Sequence, residues 1–292
     1  MRQTIILDST KIDNFLQCNQ MMNLAYIENL TPSNLIKEDI SAGAYGHKLL
    51  EIYYTHLPCG WKSSMAEVNK FHLNEDFPLS IEKRKLVEAR LQYYWQRYAG
   101  SDYETLCGTR IKMIAKDGLP VEVEEAFPLV EQGFSYKLYE DRDYLFILEG
   151  RIDWLVNIQG TKAFVDHKFQ FRESNLYEKS IQFRNYSLVT GLNLGIINYI
   201  RLHQKIDEKT LVRSTTSFSS LDIRMWREEL IDIYMNYANI VRKNEFPLNR
   251  SSCSGKFGYP CQFVDICNEH SKSIKEAVKK TKFVKREPWN PW

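Results

Sequence analysis

This chain has no surplus of charge of either sign: 39 Lys and Arg stand against 37 Asp and Glu, a formal net charge of +2. So close a balance neither favours nor excludes nucleic-acid binding. Long hydrophobic runs are missing as well. None approaches the roughly 20 apolar residues that cross a bilayer, so no membrane partner is expected. The opening residues, Met1 to Phe15, carry neither an apolar core of secretory type nor a small-residue cleavage site. Without a secretion signal, the six cysteines point to a reducing interior, cytoplasmic in its own cell or in a host cell. There, thiols bind metals or clusters more often than they pair as disulfides. Internal repeats and low-complexity segments are absent too.

What is present is enough apolar material for a large core: 43% of 292 residues are hydrophobic. The expected organisation is one elaborated domain over 1–292, mainly helical over 1–120, with a core over 121–220 and a closing helix and cysteine loop over 221–292. Ser9 or Thr10 is placed to cap a first helix running through Leu16 and Met21, with Cys18 on it. Gly43, His47 and Glu51 recur at a spacing of four and share one face of a second helix. Val87, Leu91, Tyr94, Trp95 and Tyr98 form a core stripe of helical period between Ser80 and Tyr98. Strands are expected over Val121 to Val130, Tyr144 to Val156 and Thr161 to Phe169, with a turn at Asn157 to Gly160. A helix holding Gln182 and Tyr186 follows. Further strands are read over Ile196 to Leu202 and Thr210 to Phe218, and a long helix over Met225 to Lys243. Helices flanking a central sheet make this an α/β chain.

The cysteines are split between the two ends. Cys18 stands alone near the start; Cys253, Cys261 and Cys267 are close together near the end, in a stretch broken by Gly255, Gly258 and Pro260. Such a turn-rich loop aims several sulfurs inward, where a core helix would scatter them. Thiolates gathered from both ends of a chain hold zinc or an iron–sulfur cluster and fasten the fold as they do so. Buried free thiols or a disulfide are the plainer alternative. Cys59 and Cys107 have no such company and are read as core residues. From Lys272 to Arg286 seven basic residues face one acid, Glu276; this strip suits phosphates, or equally a solvated terminal helix.

Chemistry is concentrated in a hairpin. Asp153 interrupts an apolar strand, and Asp166 and Lys168, two apart, share a face of the next. Set among Trp154, Leu155, Phe164 and Val165, two carboxylates and a lysine are costly without a partner. Hard oxygen donors suit Mg²⁺ or Mn²⁺. An ammonium beside such an ion orients an attacking water or offsets charge on a phosphate. A surface Asp166–Lys168 pair beside an unrelated aspartate is the alternative.

Taken in order, Gly43-xxx-His47-xxx-Glu51, Gly150-Arg-Ile-Asp153, Asp166-His-Lys168, Gln182-xxx-Tyr186 and the cysteine loop resemble the RecB-like branch of the PD-(D/E)XK nucleases. One early cysteine with three late ones is similar to its iron–sulfur subgroup, which includes AddB-type helicase-nucleases and the exonucleases that accompany CRISPR adaptation. The closing residues and compact size resemble phage-encoded members.

That resemblance implies a restriction-endonuclease-like core sheet flanked by helices, its terminal segments joined by a cysteine-ligated cluster. It implies a metal-dependent DNA exonuclease working on single-stranded ends in recombination, repair or replication, alongside proteins of those processes. His47, Asp153 and Asp166 would be metal ligands with the backbone carbonyl of His167, and Lys168 the catalytic lysine. Gln182 and Tyr186 would place DNA. Cys18, Cys253, Cys261 and Cys267 would hold a [4Fe–4S] cluster, although the spacing C-x7-C-x5-C departs from the subgroup's C-x2-C-x5-C. The family's further acid, ahead of the GxxD motif, is open among Glu122, Glu124, Glu125 and Glu149. Without the resemblance, His47 reads as an ordinary core or surface histidine. Two other functions stand beside this one: a nuclease stabilised by Zn²⁺ at the same cysteines, and a DNA-binding subunit that has lost catalysis. The complete set of Asp153, Asp166 and Lys168 argues against the latter.

Overall fold

The computed structural model describes residues 2–33, 38–74, 79–98, 104–105, 107–109, 126–170, 180–203, 205–254 and 260–286. Along the chain the elements are β1 (Gln3–Asp8), α1 (Ser9–Gln17), α2 (Asn19–Met22), β2 (Leu30–Pro32), α3 (Glu38–His56), α4 (Trp61–Asn74), α5 (Ile81–Tyr98), β3 (Glu104–Thr105), β4 (Cys107–Thr109), β5 (Ala126–Pro128), β6 (Val130–Glu140), β7 (Tyr144–Ile158), β8 (Thr161–Gln170), α6 (Ile181–Thr190), β9 (Leu194–Arg201), β10 (Leu211–Ser217), α7 (Ser220–Lys243), α8 (Val264–Asn268), α9 (Lys272–Lys282) and β11 (Phe283–Lys285). They divide into two units. One comprises Lys37–Lys137 and Glu149–Arg227; the other comprises Met1–Ile36, Leu138–Leu148 and Glu228–Trp292.

In the first unit, β7, β8, β9 and β10 lie in that order, with β3 and β6 also paired to β7. Strands β7 and β8 run antiparallel through the pairs Trp154↔Val165 and Val156↔Ala163. Gln159 and Gly160, both at positive φ, make the two-residue turn between them, and Asn157 Oδ1 accepts from Gly160 N at 2.9 Å. By contrast β8 and β9 are parallel, Asp166 opposite Ile197 and Lys168 opposite Tyr199. Parallel neighbours need a crossover, and α6 lies in it. The result is a mixed sheet flanked by helices, the α/β architecture expected.

Alternation along β8 separates the sheet's two faces. Val165 and Phe169 join the core made with α3 and α5, which includes Tyr45, Leu49, Tyr53, Tyr54, Leu91 and Tyr94. Phe164 packs instead on Phe183 and Tyr186 of α6, at 5.5 and 5.7 Å between ring centroids. Asp166 and Lys168 therefore share the α6 face. On the opposite side α3 approaches closely because Gly46 has no side chain: a Cβ there would lie 2.3 Å from the Phe169 ring. Gly150 has the same role on β7, where a Cβ would lie 2.4 Å from Phe134 Cζ.

The second unit brings the chain ends together. Strand β11 pairs antiparallel with β2, Val284 opposite Thr31. Arg286 N donates to Asn29 O at 2.8 Å. Around this ladder Met21, Leu24, Ala25, Leu30, Phe263, Ile266 and Phe283 form a buried cluster with Cys18. Tyr234 of α7 donates to the carbonyl of Ile147 at 2.6 Å.

Several expectations are corrected. Asp8, not Ser9 or Thr10, caps α1, accepting from Lys11 N at 2.8 Å. Cys18 is not on the first helix, because the helix stops at Gln17 and Cys18 takes extended angles (φ −165°, ψ 117°) between α1 and α2. This turns its sulfur away from the helical repeat. Cys59 is exposed rather than core, at the end of a short 3-10 turn; the Cys107 side chain lies outside the described residues. Strand β6 was not foreseen, and of the strand expected over Val121 to Val130 the part 121–125 also lies outside them. In the basic strip, Lys279 pairs with Glu28 and Glu276, and Lys282 with Asp265. The Arg286 guanidinium stacks 4.4 Å from the Tyr26 ring centroid. Much of that positive charge therefore fastens the unit. Among the described residues no helix is long and apolar enough to cross a membrane.

Candidate functional site

Asp153 on β7 and Asp166 on β8 each stand one residue beyond the Trp154↔Val165 pair, so the register sets the two carboxylates side by side. The main-chain N–H of His167 donates to Asp153 Oδ2 at 2.7 Å. That same oxygen is 3.4 Å from Nδ1 of His47, which α3 delivers from across the sheet. The third member is Glu131, whose Oε1 is 3.6 Å from His47 Nδ1. Its Oε2 accepts from Arg151 Nε at 2.8 Å. One ligand atom from each of His47, Glu131 and Asp153 can be chosen so that all three lie within 4.8 Å of one another.

Glu131 is the acid that sequence reasoning missed. Of the four glutamates considered, Glu122, Glu124 and Glu125 lie outside the described residues, and Glu149 is not in this trio. Leu155 N donates to Leu129 O at 2.9 Å; Glu131 lies two residues after Leu129, as Asp153 lies two before Leu155. Only this pairing reveals it, since Glu131 adopts φ +48° at the start of an unforeseen strand and breaks any regular alternation.

Asp166 is fully buried. Its Oδ2 is 2.7 Å from Lys168 Nζ, while Oδ1 has no hydrogen-bond partner among the described residues. Lys168 Nζ also donates to Gln182 Oε1 at 2.9 Å. Gln182 Nε2 donates in turn to Tyr186 Oη, and Tyr186 to the carbonyl of Arg151, both at 2.6 Å. This chain of contacts runs from β8 through one turn of α6 back to β7. It places the ammonium against Asp166 with little freedom. Glu51, one turn along α3 from His47, pairs with Lys48 at 2.8 Å.

Burial pushes the Asp166 carboxyl up to about 6, against the pull of Lys168. Asp153 is raised for the same reason, with Glu131 adding to it and His47 opposing. Burial works against charge on His47 as well, but Asp153, Glu131 and Asp166 together hold it above its ordinary value. Burial, then Asp166 and Asp153, lifts the Tyr186 phenol well above its usual range, which keeps it a donor. Three carboxylates thus crowd one largely buried place beside His47 and Lys168. Hard oxygen and nitrogen donors converging on one point, with a buried carboxylate oxygen left unpaired, fit a small divalent cation.

The cysteine site lies within the second unit. Cys18, Cys253, Cys261 and Cys267 line one small cavity together with Met21, Leu248, Asn249, Ser252 and Phe263. Ser252 Oγ donates to Gln17 O at 2.8 Å, and Asn249 N to Cys18 Sγ at 3.5 Å. Cys261 N donates to Cys253 O at 2.9 Å. Burial, then the neighbouring Cys261, Cys18 and Cys253, pushes the Cys267 thiol up to about 11; burial raises Cys261 too. Converging sulfurs that disfavour one another's ionisation are a donor set which a cation would reverse, so these residues fit a soft metal centre.

A family model for the PD-(D/E)XK nuclease superfamily matches residues 9–268. Among solved structures, a proposed exonuclease from Eubacterium rectale is similar at 12% identity and a TM-score of 0.41, covering 91% of this chain and 89% of that one. A protein called SSO0001 is similar at 12% identity and a TM-score of 0.32, covering 92% and 88%. No curated protein sequence matches. The chain belongs to the PD-(D/E)XK nuclease superfamily.

Proposed function

We propose that this member of the superfamily is a metal-dependent deoxyribonuclease that degrades DNA from single-stranded ends, with Mg²⁺ or Mn²⁺ held by His47, Glu131, Asp153 and Asp166. The observation that carries this reading is the convergence of His47, Glu131 and Asp153 beside a buried Asp166 whose second oxygen is unpaired. Glu131 is added to the ligands named from sequence, and the carbonyl of His167 remains one of them. When bound, the ion polarises the scissile phosphodiester and makes water acidic enough to act as nucleophile. Lys168, pinned between Asp166 and Gln182, keeps a positive charge where negative charge grows on the phosphate. Gln182 and Tyr186 hold that lysine and help place the strand. Hydrolysis joins the water oxygen to phosphorus and breaks the bond to the leaving sugar oxygen, which takes up a proton.

The four cysteines are assigned a structural [4Fe–4S] cluster. One early cysteine with three late ones that line one cavity supports this assignment, and Zn²⁺ at the same four sulfurs is the alternative. The setting assigned is recombination, repair or replication inside a cell, a phage-infected one included. Digestion of end-labelled single- and double-stranded DNA with Mn²⁺, and again after EDTA, tests the activity. Cleavage of single strands that EDTA stops and Mn²⁺ restores is expected; cleavage surviving thorough chelation would overturn the metal assignment.

A further inference from the structure

Behind the candidate metal centre lies a second set of polar groups, buried except for a half-buried arginine. Arg213 on β10 donates from Nε to Asn198 Oδ1 at 2.7 Å and from Nη2 to Tyr94 Oη at 2.9 Å. Asn198 on β9 directs Nδ2 at Tyr94 Oη, 3.1 Å away, and at His167 Nδ1, 3.2 Å away. Tyr94 and Tyr54 meet oxygen to oxygen at 2.5 Å. Asn198, His167, Tyr94 and Tyr54 are each at most 2% exposed.

An arginine cannot accept a hydrogen bond, so it fixes the sense of every bond that follows. Asn198 must present its oxygen to Arg213, and therefore its NH₂ to His167. His167 Nδ1 must then accept, which leaves the ring neutral with its proton on Nε2. Tyr94 receives both donors and meets the Tyr54 hydroxyl. Meanwhile the His167 ring is stacked parallel to Tyr54 and Trp154, at 5.8 and 6.0 Å between centroids. Stacking and hydrogen bonding together leave the side chain one orientation.

That constraint reaches the site through residue 167's own backbone. Its N–H orients Asp153 Oδ2, and its neighbours in sequence are Asp166 and Lys168. A buried set of polar groups costs free energy to assemble and is retained most economically where it specifies geometry. We infer that Arg213, Asn198 and Tyr94 are positioning residues, which act through the His167 side chain to hold Asp153 in its metal-binding orientation. The inference rests on the proposed metal centre. Partners that orient a ligand in this indirect way are worth about 10–100-fold in metal affinity or activity.

The test uses Asn198→Leu, which keeps the volume and removes both donors, and His167→Phe, which keeps the ring and removes the acceptor. The full-length protein is titrated with Mn²⁺, read both by calorimetry and by the concentration giving half-maximal cleavage. Each variant should weaken Mn²⁺ about 10–100-fold, and the double variant should lose no more than the worse single one, since both cut the same link. Tyr94→Phe, which deletes one oxygen and keeps the packing, serves if the others fold poorly and should weaken Mn²⁺ in the same direction. A merely structural role would lower the melting temperature and leave the Mn²⁺ midpoint in place. Folded variants within about twofold of wild type, or fully additive losses, overturn the inference while leaving the metal centre intact. Wild-type protein that binds no Mn²⁺ overturns the metal centre, and the inference with it.

Discussion

Arg151 Nε and Glu131 Oε2 are joined at 2.8 Å, the arginine 42% exposed and the glutamate's side chain only 10%. The pair holds the Glu131 carboxylate from its outer side while the other oxygen faces His47. It does so on a residue at φ +48°, a conformation that costs a non-glycine residue on the order of 1–2 kcal/mol. Strain of this kind persists where the surroundings fix it, and here they fix a carboxylate next to Asp153.

Glu131→Gly should therefore separate stability from activity. Glycine adopts φ +48° without strain and removes one of the crowded acids, so the melting temperature without metal should not fall. Cleavage should drop more than about 100-fold. Scanning calorimetry with a nuclease assay checks both, and retained cleavage would remove Glu131 from the site.

Lys168→Ala and Asp166→Ala should each abolish cleavage with the fold preserved, by circular dichroism, because both act through charge rather than core packing. Gln182→Leu, which frees the ammonium without deleting it, should cost less, about 10–100-fold. Activity in Lys168→Ala comparable to wild type would refute the role given to the lysine.

Asp166 also predicts a pH dependence for metal-free protein. Its folded value of about 6 exceeds an ordinary aspartate's, so between about pH 4 and pH 6 the folded state binds the extra proton. Stability from this group is thus present below that window and lost as pH rises through it. Asp166→Asn, which does not titrate, should gain on wild type by up to roughly 3 kcal/mol on going from about pH 4 to pH 7. Urea unfolding at both pH values checks the sign, and a constant difference would contradict it.

Cys267→Ala and Cys18→Ala should strip iron, bleach the protein and lower its melting temperature. They should not release the chain ends, since β2, β11 and the cluster around Phe263 and Phe283 join them without the sulfurs. The exposed Cys59 should be replaceable by alanine with colour unchanged. Iron analysis after anaerobic purification decides this; zinc in place of iron would favour the alternative centre, and neither metal would end both.

Gly150→Ala should destabilise by about 1–3 kcal/mol, the usual cost of overpacking, because its Cβ would enter the Phe134 ring. Phe134→Leu in the same chain should recover part of the loss. Equal stability of Gly150→Ala and wild type, measured by urea unfolding, would show that the ring yields freely.

Residue order and local period determined much of this. The alternation in β7 and β8, the positive-φ turn at Gln159 and Gly160, and the placement of Asp166 and Lys168 on one face all follow from spacings of one or two residues, which a strand fixes geometrically. The helix carrying Gln182 and Tyr186 is equally local. What tertiary structure decided depends on register between distant segments and on breaks in period. Glu131 reaches Asp153 because Leu129 pairs with Leu155, and it does so from a left-handed residue at the start of an unforeseen strand. Cys18 faces the cysteine cavity because the first helix stops one residue before it. Arg213, Asn198 and Tyr94 meet behind His167 from two strands and a helix, and no spacing in the sequence encodes that meeting. Gly46 and Gly150 matter for what packs against them, Phe169 and Phe134, and such contacts exist only once the chain has folded.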